Sequence, residues 1–146
     1  MTSRKHVLFI AATALLAISF IACTKSSNNP EITVANLTGT YKLTGLVWVH
    51  ANITINVYDS LDACEKDNLI QLNADSSLKF IDAGTVCTPP ADGSGTWHLS
   101  KDSLYFQDQA SKIKSFDGKT LVLTGYPSIN GIPDITTVAT TTLVKQ

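Results

Sequence analysis

Two histidines and one group of acids are the side chains after position 23 whose types invite a chemical role. His50 and His98 each lie beside apolar neighbours in a predicted strand, so we interpret both as outward-facing strand residues rather than general bases. No Gly-x-Ser-x-Gly, His-Glu-x-x-His, Walker-type or Gly-x-Gly-x-x-Gly pattern occurs. The sequence therefore predicts no catalytic residue, no cofactor and no enzyme.

The acidic residues Asp59, Asp62, Glu65 and Asp67 raise the alternative of a calcium loop. Such a loop needs oxygen ligands at alternate positions and a glycine that turns the chain, and this stretch has neither. We expect these acids to be solvated and to cap turns, so no metal site is predicted.

The first 22 residues have the pattern of an export signal. Arg4 and Lys5 precede an apolar run of 16 residues, 7–22, which is shorter than the roughly 20 residues of a membrane-spanning helix. Ile21-Ala22-Cys23 resembles a lipobox, in which signal peptidase II cleaves before a diacylated cysteine. We predict lipidation of Cys23, with an ordinary secreted chain or an uncleaved anchor as the alternatives.

Cys64 and Cys87 remain as an even pair once Cys23 carries lipid. In an oxidising compartment the pair favours a disulfide, which would stabilise the fold by about 3 kcal/mol on the chain-entropy model. A zinc site would need a closer cysteine spacing or a histidine partner, and a reactive nucleophile would need a base beside it.

The composition of the processed chain excludes a nucleic-acid partner. Cleavage before Cys23 removes 2 of the 11 basic residues and none of the 12 acidic ones, so the formal charge becomes −3. The chain has no cluster of Lys and Arg, which phosphate binding requires. A polar stretch rich in Ser, Asn and Pro follows Cys23, so we predict a signal peptide at 1–22, a flexible tether at 23–36 and one domain at 37–146.

Strand and turn signals alternate along this domain. We predict strands over 40–49, 53–57, 69–73, 77–82, 95–99, 103–107, 112–116, 120–125 and 136–145, with a polar loop at 59–68. Asp117-Gly118 supplies the positive φ that a tight hairpin needs. Antiparallel strands with one apolar face must close on themselves or fold double to hide their edges.

Four short motifs occur along the domain: Leu37-x-Gly39-x-Tyr41-x-Leu43, Asp62-x-Cys64-x-x-Asp67, Asn73-Ala74-Asp75 and Gly95-Thr96-Trp97. Together they resemble the lipocalin-like domain lipoproteins of Bacteroidetes. The resemblance implies an all-β, up-and-down, eight-stranded barrel with a Cys64–Cys87 disulfide. It also implies a family whose members mostly have no assigned ligand.

Strand parity places four aromatic residues on the same face as the aliphatic ones: Tyr41, Phe80, Trp97 and Phe106. In a closed barrel that face is the interior, where these side chains would either fill the core or contact a ligand. Trp48 has the opposite parity from Tyr41, so a regular strand would point it outward.

The predicted lipid anchor and the two possible roles of the barrel interior lead to two alternative functions. The first is a lipid-anchored barrel that binds a small apolar or amphipathic ligand, and the second is a solid-core module that interacts with other envelope proteins. We expect a monomer held at the outer membrane, with the periplasmic side favoured over the surface because no acidic run follows Lys25.

Overall fold

The computed structural model describes residues 29–129 and 132–146, and the predicted signal peptide and Cys23 lie outside them. The elements in chain order are α1 (Val34–Leu37), β1 (Gly39–His50), β2 (Ile53–Asn56), α2 (Val57–Ser60), α3 (Ala63–Lys66), β3 (Leu69–Leu72), β4 (Ser77–Ile81), β5 (Gly93–Ser100), β6 (Ser103–Phe106), β7 (Gln109–Phe116), β8 (Thr120–Gly125), β9 (Ser128–Ile129), β10 (Ile132–Pro133) and β11 (Thr137–Lys145).

Eight of these strands form a closed antiparallel barrel. The ladder runs β1-β3-β4-β5-β6-β7-β8-β11, and β11 returns to pair with β1. Closure removes the free edges that an open sheet would leave. β2 pairs with the last residues of β1 beyond the point where β3 begins its pairing, so it extends the wall at one end. The predicted all-β, eight-stranded barrel is therefore confirmed.

Short turns after β3, β5 and β7 lie at one end of the barrel, which we call the closed end. α1 lies at this end, because it leads directly into β1. Thr33 caps α1 by accepting a hydrogen bond of 3.2 Å from the backbone N–H of Asn36. Leu37 of α1 is fully buried, and Ile32 packs against the same core. Residues on the N-terminal side of β1 thus pack against the barrel core.

The opposite end, which we call the mouth, carries the longer connections. These are the β1–β2 turn, the segment 57–68 with α2 and α3, the loop 82–92, the β6–β7 turn and the described parts, 126–129 and 132–136, of the connection between β8 and β11. The polar loop predicted at 59–68 thus contains two single-turn helices. In α3, the backbone N–H of Asp62 donates a hydrogen bond of 2.8 Å to the carboxylate of Glu65.

The core fills the half of the barrel nearer the closed end. Tyr41 and Trp97 are its largest side chains, with exposures of 0% and 1%. The hydroxyl of Tyr41 donates a hydrogen bond of 2.7 Å to the carbonyl of Leu37, and Trp97 Nε1 donates one of 2.8 Å to the carbonyl of Asn73. Both buried donors therefore have partners, which is the condition for burying polar atoms at little net cost.

The predicted hairpins are present. At the β7–β8 turn, Gly118 adopts a φ of +94°, and the carboxylate of Asp117 accepts backbone hydrogen bonds from Lys119 and Thr120. The local chemistry of Asp-Gly thus fixes this turn as expected.

A β-bulge in β1 reverses the orientation that simple alternation predicts for its second half. Leu43 pairs with Leu143 and Gly45 pairs with Thr142, so Thr44 is an extra residue in the strand. Trp48 and His50 consequently share the inner face with Tyr41. The predictions that these two residues point outward are wrong, because the bulge shifts the two-residue period by one position.

The disulfide between Cys64 and Cys87 is present, with Cα atoms 5.2 Å apart. It joins α3 to the loop 82–92, so it connects two segments at the mouth. Among the described residues, no helix has the length and hydropathy needed to cross a membrane.

Candidate ligand site at the barrel mouth

Five apolar side chains on the inner face near the mouth form the candidate site, and we call them the mouth cluster: Trp48, Ile53, Ile55, Phe80 and Phe106. Ile53, Ile55 and Phe80 are 62%, 49% and 39% exposed, while Trp48 and Phe106 are half-buried. Apolar residues on an interior face are normally removed from water. Their exposure here means that the barrel is filled at one end and open at the other.

The register of β1 and β2 explains why two isoleucines belong to this face. Ile55 lies opposite Trp48 and Ile53 lies opposite His50. Directly paired residues of antiparallel strands project to the same side of the sheet. β2 therefore continues the apolar lining along the part of β1 that lies beyond its pairing with β3.

Small residues face Trp48 across the neighbouring ladders. Trp48 pairs with Ala139, Ala139 pairs with Gly125, and Gly125 pairs with Ser111. The residues in the ladders beside the Trp48 indole are therefore small, whereas the rows nearer the closed end contain leucines. We call the half of the barrel nearer the closed end, which the core fills, the packed half.

A polar network lies where the rim of the mouth meets β11. The hydroxyls of Thr136 and Thr137 donate to the carboxylate of Asp134 over 2.5 and 2.6 Å, and His50 Nδ1 lies 2.9 Å from Thr137 Oγ1. Since the Thr137 hydroxyl gives its proton to Asp134, His50 Nδ1 acts as the donor to Thr137. These hydroxyl hydrogen bonds lower the pKa of Asp134 to about 2, so Asp134 is an anion at neutral pH.

The four aromatic residues predicted for the interior divide between the two halves. Tyr41 and Trp97 are buried in the packed half and present no surface to a ligand in this structure, whereas Phe80 lies at the mouth. Phe106 lies between the two halves, because it pairs with Trp97 and packs against the core while remaining half-buried. Trp48 was missed because the bulge at Thr44 was not foreseen. A glycine inside a strand, here Gly45, is a recognised sign of such a bulge.

His98 lies on the outer face of the barrel, as the strand pattern predicted. Its ring stacks on Tyr105 with centroids 4.4 Å apart, and the two residues pair across β5 and β6 on the outer face. Among residues 29–129 and 132–146, no group of three or more His, Cys, Asp or Glu is arranged to hold a metal ion.

Two concavities of the surface lie away from the mouth cluster. One, of about 380 Å³, is on the outer wall, because its lining residues Ser103, Lys112 and Thr124 form one outward-facing row. The other, of about 260 Å³, lies beside the disulfide and Pro89. Neither is lined by the aromatic residues of the inner face.

A model of the lipocalin-like domain matches residues 27–123, which is more than half of the chain. The chain belongs to the lipocalin-like domain family. No curated protein and no solved structure gives a significant match. The match ends within β8, so β11, which closes the barrel of this lipocalin-like domain, lies beyond it.

Membership in this family agrees with the geometry. A lipocalin-like barrel is typically a non-enzymatic binding fold, and its architecture points to a ligand-binding or otherwise non-catalytic role. In this lipocalin-like domain the mouth cluster is an apolar part of the inner face that is exposed or half-buried.

Proposed function

We propose that this protein is a lipid-anchored, non-catalytic barrel of the bacterial cell envelope that binds a small apolar or amphipathic molecule at its mouth. The anchor is Cys23, and the outer membrane is its location, with the periplasmic side favoured. The ligand lies against the mouth cluster, above the packed core.

One observation carries the proposal: the inner face is buried at the closed end and apolar but exposed at the mouth. Tyr41 and Trp97 are sealed, while Ile55 and Phe80 on the same continuous face are 49% and 39% exposed. A ligand that covered about 200 Å² of this apolar lining would gain about 5 kcal/mol from burial alone, before the losses of association.

A protein partner at the mouth is the second candidate function. Ten large apolar side chains are exposed in the described residues, and all except Val34 lie at or near the mouth end; Ile132 and Ile135, on the segment 126–136, are 72% and 74% exposed. Exposed apolar side chains gathered at one end of a domain are also typical of a surface that docks onto another protein, here one of the cell envelope.

Binding of N-phenyl-1-naphthylamine, whose fluorescence rises in apolar sites, tests the first function. Ile55→Ser should weaken the binding of this probe at least five-fold, because it removes apolar surface from the mouth cluster. Val34→Ser removes an exposed apolar side chain at the closed end and should leave the affinity unchanged. Equal affinities for both variants, or no binding by the wild type, would exclude a ligand site at the mouth.

Native mass spectrometry of protein purified from its own host separates the two functions. A co-purified small molecule supports ligand binding, and a co-purified protein that Ile55→Ser releases supports the interaction module.

The lipid anchor is tested by membrane fractionation. Cys23→Ser should abolish signal processing and release the protein from the membrane fraction, since diacylation supplies the hydrophobic attachment. Unchanged fractionation would refute lipidation.

A further inference from the structure

The charges of this barrel are separated between its two ends. Eight acidic residues lie on the segments that surround the mouth: Asp59, Asp62, Glu65, Asp67, Asp82, Asp92, Asp108 and Asp134. Lys66 is the only lysine or arginine on those segments, so the formal charge of the mouth region is −7.

The rest of the domain carries the opposite sign. Seven lysines lie on the barrel wall and at the closed end, against four acids, for a formal charge of +3; the lysines are Lys42, Lys79, Lys101, Lys112, Lys114, Lys119 and Lys145, and the acids are Glu31, Asp75, Asp102 and Asp117. The near-neutral net charge of the whole chain therefore conceals a strong asymmetry.

All of the acids at the mouth except Asp108 accept structural hydrogen bonds, and among residues 29–129 and 132–146 none of them forms an ion pair with a lysine. The carboxylate of Asp82 accepts from the backbone N–H groups of Cys87 and Ala91, and Asp67 accepts from the N–H of Thr85. A backbone N–H carries no net charge, so these hydrogen bonds leave the negative charge of the carboxylates in place. The ion pair found among the described residues, Lys112 with Asp102 at 3.3 Å, lies on β7 and the β5–β6 turn. The formal charge of −7 thus lies on the segments at the same end of the barrel as the mouth cluster.

We propose that the mouth selects amphipathic cations, in which an apolar chain or ring carries an amine or quaternary ammonium group. This inference rests on the proposed ligand site and adds the chemical class of its ligand. The apolar part covers Trp48, Ile55 and Phe80, and the cationic group stays at the acidic rim.

The physical basis is charge complementarity around an apolar surface. A concave site lined by one sign of charge concentrates counter-ions and repels like charges, and the effect is screened within about 8 Å at physiological salt. Burial of the apolar part is the same for a cation, a neutral molecule or an anion of equal chain length. The head group alone therefore decides the order of affinities.

Three ligands with one chain length measure this order: dodecylamine, dodecanol and dodecanoate, each below its micellar concentration and competing with the naphthylamine probe. At 20 mM salt we expect dodecylamine to bind at least ten-fold more tightly than dodecanoate, with dodecanol between them. At 300 mM salt the ratio should fall towards one. Equal affinities would overturn the cation preference and leave the ligand site intact, whereas binding of none of the three would overturn the ligand site itself.

A pair of charge-reversal variants locates the effect. Asp108 lies in the β6–β7 turn and accepts no hydrogen bond among the described residues, so Asp108→Lys changes the charge at the mouth without removing a turn cap. It should weaken dodecylamine about three- to five-fold and strengthen dodecanoate, given the energy of unit charges on the order of 10 Å apart in water. Glu31→Lys makes the same change near the closed end and should alter neither affinity. Equal effects of the two variants would show that only the net charge matters and would refute selection at the mouth.

Discussion

Trp48 lies opposite Ala139 on the inner face of the ladder between β1 and β11. The pair joins one of the largest side chains to one of the smallest, close to the open end of the barrel. Thr44 Oγ1 donates a hydrogen bond of 3.3 Å to the carbonyl of Thr142 at the bulge that turns Trp48 inward. The neighbour of the indole across this ladder is therefore a single methyl group.

Ala139→Leu should place a larger side chain against the exposed apolar lining beside Trp48. We expect the affinity for the naphthylamine probe to fall at least five-fold, while the melting temperature stays within about 3 °C of the wild type because the position is not in the packed core. Val138→Leu enlarges the neighbouring outward-facing residue on the same strand and serves as the control. If Ala139→Leu binds the probe as well as Val138→Leu does, the ligand does not lie beside Trp48.

The two tryptophans should differ sharply in their contribution to stability. Trp97 is 1% exposed and its indole N–H is bonded to a carbonyl, so Trp97→Ala should lower the free energy of unfolding by about 3 to 5 kcal/mol. Trp48 is half-buried, and Trp48→Ala should lower it by less than about 2 kcal/mol. Urea unfolding measures both values. Similar losses for the two variants would mean that the mouth half is as solidly packed as the closed half.

The disulfide should stabilise the domain chiefly by restricting the unfolded chain. Cys64 and Cys87 are 23 residues apart, and a loop of that length predicts about 2 to 4 kcal/mol. The variant Cys64→Ser/Cys87→Ser should lose that amount in urea unfolding, and a reducing agent should destabilise the wild type but not the variant. A wild type that is insensitive to reduction would show that the bond adds nothing to stability.

The fold was largely predictable from local patterns. Alternating apolar residues gave the strands, and Asp117-Gly118 gave a turn whose geometry depends on those two residues alone. The helices at 57–60 and 63–66 escaped prediction because a single turn of helix has no apolar period to detect.

The candidate site was less predictable, because one extra residue in a strand reverses the inward or outward orientation of every residue that follows it. Leu43 and Leu46 are three residues apart, as are Ile113 and Phe116, and each pair spans a bulge. A spacing of three between apolar residues of one strand is the sequence sign of the extra residue, and it places Trp48 inside. The exposure of Ile53 and Ile55 depends instead on which strands pair to close the barrel. Local sequence patterns do not determine that long-range pairing.

Tyr41 should make the stability of the barrel depend on alkaline pH. Burial raises the pKa of its hydroxyl to about 12, against about 10 in an unfolded chain. Below pH 10 the hydroxyl is neutral in both states and its contribution is complete. Between pH 10 and 12 the unfolded state loses the proton first, so stability falls with rising pH, by about 2 to 3 kcal/mol for this group.

Tyr41→Phe isolates that contribution. The variant should be less stable at pH 8 by about 1 to 3 kcal/mol, because the buried carbonyl of Leu37 loses its donor, and this deficit should shrink as the pH approaches 12. Tyr126→Phe, at an exposed position, should follow the wild type at every pH. Urea unfolding of the three proteins from pH 8 to 12 measures the differences. A deficit that stays constant across this range would mean that Tyr41 titrates alike in the native and unfolded states, and that its hydroxyl is not sealed beneath α1.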